Sequence, residues 1–427
     1  MTSGTPSARA AARHGWVQAV AVVLAGLAAM GTVAALGLWA AGAADLPGGA
    51  FPQVVAATVV TSVGGAVDVS GTAGELAGTD ADLTVIPLSV TLVGALVIAG
   101  GFLRPLRHRA VAGAAELGGW AARIAVLWLP ALLGLALGAR RTFVIDLGED
   151  VLGDIGDFLG IRPEVGFTAD VPLTLLFGLL WLAGVLLLAL LVARGAPLPG
   201  GLLRFQASVR PAAYAMVVLL LASVAVALAV GLVVAATRGH PAETFAVILL
   251  GLPNLAWLGL TVGMGATWHG RVEGPFGLPV PHLLDQVLRT PDVSALHLGS
   301  LAEYDGTAWW LPVIDAVLLL GAAFVMAARS PAGVPAWRHA VRMAVALTLT
   351  VLMICLVGRV SAHYGLSVLG IGDLGGGLAG ELFLRPQLWS ALGAAVLWGL
   401  VTGFAGALAA GPVRRRGETT GAGRGGA

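Results

Sequence analysis

Four long stretches of this chain, Val17–Leu38, Leu83–Leu103, Val171–Ala193 and Trp389–Gly411, carry no charged side chain. A bilayer hydrocarbon core is about 30 Å thick and takes about 20 apolar helical residues to cross. No polar stretch is long enough to bury a soluble core of its own, and only 11% of the residues are charged against 58% hydrophobic. The chain therefore reads as an all-α, polytopic transmembrane helical bundle in one membrane domain, 16–411. The flanking tails, 1–15 and 412–427, are short and rich in small or polar residues, and are expected to be disordered and cytoplasmic. Arg9, Arg13 and His14 precede the first apolar run, and Ala41-Gly42-Ala43 has the form of a cleavage site. That run exceeds the roughly 7–15 residues of a signal h-region, so it is read as a retained helix.

Charge segregation sets the topology. Every basic residue except histidine is arginine, and the arginines cluster at Arg9/Arg13, Arg104/Arg107/Arg109, Arg194/Arg204/Arg210, Arg329/Arg338/Arg342 and Arg414/Arg415/Arg416. Cytoplasmic loops hold an excess of Lys/Arg, so all five clusters are expected inside a plasma membrane, with the N-terminus cytoplasmic. Acids alternate with them, around Asp68–Asp82, Asp146–Asp170, Asp285–Asp305 and Asp373/Glu381, while Arg140 and Arg141 depart from the map. Eight crossings fit, at 16–41, 83–103, 113–138, 171–193, 212–236, 309–328, 341–358 and 388–411. A further apolar stretch, Thr244–Thr267, is interrupted by Pro253-Asn254 and crowded with glycine. It reads as a broken or re-entrant element, with nine or ten crossings as the alternatives. Proline removes a helical donor, and irregular backbone at membrane depth survives only where protein or water covers it.

The acidic loops resemble one another. Gly64–Leu76, Leu152–Asp157, Leu298–Asp305 and Leu369–Leu382 each lead through a proline (Pro87, Pro172, Pro312, Pro386) into a helix. Either composition alone makes them alike or the chain holds parallel helix-loop-helix repeats, the third with an insertion at about 241–298. Parallel repeats in transporters are related by an axis along the membrane normal.

Five side chains stand out as candidate binding residues. Pro253 and Asn254 sit at mid-stretch with Trp257 one turn on, where exposed carbonyls would suit a cation or polar headgroup; the alternative is that Asn254 merely caps backbone freed by Pro253. Asp315 lies within an apolar span, where a carboxylate is normally paired, protonated or wet, although it is near enough to the outer end to reach the interface. Arg123, with Glu116 two turns earlier, either snorkels to headgroups or meets a partner such as Asp315. No catalytic constellation, cofactor motif or metal-ligand spacing is legible: eight histidines never pair at helical spacing, and the lack of lysine excludes a P-loop. The bilayer is the partner the sequence specifies, and no nucleic acid is expected. The small residues Gly393, Gly399, Gly403 and Gly406 suit close helix packing.

The Arg-x3-Arg-His-Gly-Trp entry at Arg9–Trp16, the Leu-Pro-Asn-Leu-Ala-Trp run at 252–257 and the Gly/Pro-rich stretch to Pro281 resemble the streptophobe family, polytopic membrane proteins of Streptomyces and related actinobacteria. That resemblance implies a membrane location and no assigned activity or site residues. The functional expectation is a transporter or pore for a small solute, ion or lipid, or alternatively a non-catalytic scaffold of the envelope.

Overall fold

In lipid each backbone N–H and C=O must find its partner inside the segment, so the uncharged runs have to become helices. The computed structural model describes residues 6–73, 77–108, 114–144, 163–193, 200–237, 239–272, 294–331, 333–368 and 380–422. The helices are α1 (Pro6–Ala40), α2 (Phe51–Ser62), α3 (Leu88–Leu103), α4 (Ala114–Gly138), α5 (Val171–Val192), α6 (Gly200–Thr237), α7 (Pro241–Gly263), α8 (Leu298–Tyr304), α9 (Trp310–Ala328), α10 (Ala336–Val357) and α11 (Leu388–Ala422). Eight of them, α1, α4–α7 and α9–α11, are long and apolar enough to cross a membrane. The protein is an integral membrane protein of the polytopic, all-α kind. Helix α3 is shorter than expected: residues 83–87 belong to a strand end and a Pro-containing link, leaving 16 helical residues. Helices α1 and α11 extend into the stretches read as tails.

Residues 152–157 and 369–379 lie outside the described residues; the described acidic segments between helices are strands, apart from Leu298–Tyr304. The strands are β1 (Val67–Ala73), β2 (Ala77–Thr84), β3 (Arg140–Val144), β4 (Pro163–Ala169), β5 (Trp268–Val272), β6 (Ser294–Leu296), β7 (Val360–Val368) and β8 (Gly380–Pro386). All neighbours are antiparallel in one open sheet ordered β3-β4-β1-β2-β7-β8-β5-β6. The sheet lies at one end of the bundle. The described cluster arginines Arg104, Arg204, Arg210, Arg329, Arg338 and Arg342 lie at the other, where α3, α6, α9 and α10 start or stop. Arg140 and Arg141 stand on β3, in the sheet.

The sheet order exposes an internal duplication. The order β3-β4-β1-β2 of the first four strands is repeated as β7-β8-β5-β6 by the last four, the two sets joined by the β2–β7 pairing. Helix packing agrees: α1 on α3, α4 on α5, α1 on α4 and α3 on α5 in the first half match α6 on α9, α10 on α11, α6 on α10 and α9 on α11 in the second. Matched helices run in the same direction, which makes the duplication parallel. Each half has its own core. One is built around Met30, Ile98, Trp128 and Leu182, the other around Leu219, Leu260, Leu319 and Leu347. Many large side chains of the outer faces, such as Leu180 and Leu187 of α5 and Leu397 and Leu408 of α11, remain exposed, as lipid contact requires.

Helix α7 occupies, in the second half, the place α2 holds in the first: each follows the leading helix and precedes the first strand. Leu252-Pro253-Asn254 lines up with Phe51-Pro52-Gln53, and Met264–Trp268 with Val63–Val67, at a constant offset of 201 residues. The two helices end in one motif. Gly64 (φ 89°) and Gly265 (φ 100°) adopt the left-handed conformation. Gly65 and Ala266 donate back to Val60 O and Thr261 O at 3.0 and 2.9 Å. This is the Schellman turn, which only glycine enters cheaply. The amides just before α5 and α11 also match: Asp170 N–H donates to Ala66 O and Gln387 N–H to Thr267 O. Within the stretch read as an insertion, the second half of α7 is thus a counterpart of α2, and the first half of α7 is an N-terminal extension of it.

Candidate functional site

Helix α7 runs into the bundle from the sheet end, and the chain after it returns to the sheet. Helix α6 starts at the arginine end, where Gln206 Nε2 donates to Leu190 O and Ala193 O at the end of α5. It is 38 residues long and delivers α7 to the sheet end, where Gly231 packs on Ile248. Helix α7 then descends, turns at Met264–Thr267 and returns as β5 to the same sheet. The turn lies well inside the bundle. Trp398, about 15 Å along α11 from Leu388, donates through Nε1 to Met264 O at 3.0 Å.

The helix is unbroken across Pro253, contrary to the expected unwinding at Leu252–Trp257. In the first half the equivalent Pro52 sits in the first turn of α2, where a missing donor costs nothing. In α7 the helix has been extended backwards over that proline. The resulting defect is filled from outside: the Ser89 hydroxyl donates to Ile248 O (2.8 Å) and accepts from Leu252 N–H (3.2 Å), sitting between the two ends of one helical turn. Inserted groups of this kind accommodate a proline inside a helix.

Asn254 faces protein, as expected. Its Oδ1 accepts from Leu88 N–H (3.2 Å) and its Nδ2 donates to Ile86 O (3.0 Å), so it caps the start of α3 in the other half. Pro253 is buried, and Trp257 is buried with Nε1 donating to Leu220 O of α6 at 3.3 Å. Leu250 of α7 packs on the first core while Leu88 of α3 belongs to the second, so the halves interlock through α3 and α7.

Asp315 stands at the tip of α7. It is 3% exposed, about 8 Å along α9 from Trp310, and faces Gly263 so closely that a Cβ there would overlap its Oδ2. That Oδ2 is buried without a hydrogen-bond partner. It does not simply reach the interface. Around it the tip is pinned by tryptophans: Trp268 Nε1 donates to Thr261 Oγ1 (3.0 Å), and Trp398 to Met264 O. Gly265, at the extreme of the turn, is exposed, and a Cβ built on it meets nothing within 4 Å. The tip therefore borders open space on one side and a buried carboxylate on the other.

Arg123 does not join this group. Its guanidinium lies over Gly15 and 6.0 Å from the Trp16 ring centroid, at the arginine end of the first half. Asn254 and Gly263 lie on opposite faces of α7, so Asn254 serves α3 and Gly263 meets Asp315. Of the five residues singled out in sequence, four lie on or against α7 and one is remote. Ser89, Gly263 and Gly265 were not singled out; the equivalence of Gly64 and Gly265 was the available signal. Among the described residues no cluster of His, Cys, Asp and Glu able to hold a metal ion occurs. Comparison with known proteins finds no family model, no curated protein and no solved structure that matches the chain.

Proposed function

We propose that the protein is a plasma-membrane transporter of a small solute or ion, with its arginine end cytoplasmic, its sheet outside and α7 as its working element. The observation that carries this is the unpartnered Asp315 carboxylate at the tip of a helix that runs in from the sheet end and is held between two parallel halves. An intramembrane acid with no structural partner is costly to keep and is characteristic of ion or proton pathways. Re-entrant backbone ends near mid-membrane are used by transporters to meet charged cargo. The orientation follows from the arginine excess. Placement in the streptophobe family belongs to the same proposal and rests on the Arg9–Trp16 and Leu252–Trp257 runs.

The test is uptake into proteoliposomes across a panel of ions and small metabolites. A solute taken up by the wild type and not by Asp315→Asn, at equal reconstitution, is the expected result. Absence of uptake for the whole panel, with a deletion strain indistinguishable from its parent in ion and metabolite stress, would refute transport. A non-transporting envelope scaffold is the second reading. It is favoured by Asn254 and Ser89, whose polar groups are engaged in holding the two halves together, and by the distance of Arg123 from the tip.

A further inference from the structure

We infer that the tip of α7 and Asp315 together form a binding site for a small monovalent cation of the sodium type, an inference that rests on α7 being the working element of a transporter. The C-terminal end of a helix carries the negative pole of its dipole and presents carbonyls without helical partners. At α7 the Schellman turn satisfies Thr261 O and Val262 O. The Thr267 amide, which would close on Gly263 O in a continuing helix, donates instead to Ser390 Oγ at 3.2 Å. The last carbonyl of α7, that of Gly263, is thereby left out of the helical ladder on the residue that Asp315 faces. Asp315 is 3% exposed, and its Oδ2, buried and lacking a partner, is aimed at that turn.

The oxygen set decides the ligand. Hard oxygen donors with one formal negative charge balance a monovalent cation, whereas divalent ions draw on several carboxylates, and among the described residues no group of three or more His, Cys, Asp and Glu able to hold a metal is gathered. Glycine at position 263 lets the Asp315 carboxylate approach the α7 backbone where any side chain would overlap it, and Gly265, two residues on, is exposed. Binding would exchange one proton for one cation: Asp315 carboxylic acid loses H+ to solvent as the carboxylate takes up M+. Other titratable groups on the helices packed against α9 stand apart from this turn. Tyr214, Arg204 and Arg210 of α6 and Arg338, His339 and Arg342 of α10 are at the arginine end, as is Arg329, which lies over the Tyr214 ring. Glu243 of α7 lies in its exposed first turn beside His240, and Cys355 is buried in the second half of α10. Helix α11 has no charged residue from Leu388 to Pro412.

The experiment titrates sodium chloride into the purified full chain in lipid nanodiscs, with choline chloride holding ionic strength constant. It reads intrinsic tryptophan fluorescence, since Trp268 and Trp398 bond to the turn itself. A saturable sodium response in the wild type, absent from folded Asp315→Asn, is expected. Its midpoint should rise as pH falls, by up to about tenfold per unit, because one proton competes for the carboxylate. Sodium and choline giving the same trace, or Asp315→Asn keeping the response, would overturn the site. Should Asp315→Asn fail to fold, the wild type decides alone: a sodium response indifferent to pH also overturns it. Sodium binding without any proteoliposome uptake refutes transport and leaves the site standing, while uptake without sodium binding refutes only the site.

Discussion

Replacing Asn254 by leucine should destabilise the protein by about 1–2 kcal/mol, through its contact with α3 and independently of any activity. The structure fixes the size. Leu88 N–H belongs to the first turn of α3 and has no intrahelical acceptor, and Ile86 O precedes the helix, so both lose their partner together. A buried group left unsatisfied costs about 1–3 kcal/mol in water-soluble proteins. Interhelical hydrogen bonds in membranes average about 0.6 kcal/mol and reach about 1.7, because the unfolded chain in lipid also finds partners. Two lost bonds at the lower scale and one unsatisfied amide at the higher converge on the same range. The unfolding equilibrium of the chain in bicelles, followed by fluorescence or steric trapping, should therefore shift about 5- to 30-fold. Asn254→Asp keeps the acceptor for Leu88 N–H but turns a donor into an acceptor against Ile86 O, and should be no better. Ser89→Ala acts on the same junction, so the double variant should fall short of additivity. A change below about 0.5 kcal/mol for Asn254→Leu would refute the capping role.

The duplicate predicts the opposite sign: Gln53, the counterpart of Asn254, has a buried Oε1 without a partner, so Gln53→Met should be neutral or stabilising in the same unfolding assay. Close packing of α11 is local: a Cβ on Gly403 would come within 2.7 Å of Met343 Cβ and 2.8 Å of Ala340 Cα, whereas one on Gly393 meets nothing within 4 Å. Gly403→Val should cost about 1–3 kcal/mol and Gly393→Val almost nothing, read as thermal stability in detergent. Gly263→Ala should destabilise through overlap with Asp315, and a smaller partner, Asp315→Ala, should recover part of the loss in the same measurement.

Helices were legible because a run such as Val171–Val192 has no other option in lipid, and the arginine clusters mark one end of the bundle plainly. The sheet was not, because glycine and aspartate are depleted from strands and the segments Val67–Ala73 and Ala77–Thr84 read as acidic turns. Their alternation, Val67, Val69 and then Thr79, Ala81, Leu83, was present but short. Pro253 misled in a specific way. In an ordinary helix its missing donor and its ring argue for a break, yet Ser89 from another helix repairs the defect, and a repair from outside the segment cannot be read within it. Comparing the stretch with Phe51–Val67 would have shown Pro253 as a copy of a helix-start proline. Asp315 was recognisable from its setting in an apolar span; its approach to Gly263 needed the turn of α7.

The central claim is that α7 enters and leaves on the sheet side, and paired accessibility of its two flanks tests it most directly. In a Cys355→Ser background, which removes the buried free thiol, single cysteines at the exposed Glu243 and Glu303 bracket α7 and the hairpin after it. An impermeant thiol reagent applied to intact cells should label both and spare a cysteine at the exposed Ala207 on the arginine end of α6. Labelling of Glu243 and Glu303 from opposite sides of the membrane would make α7 a full crossing and contradict the account.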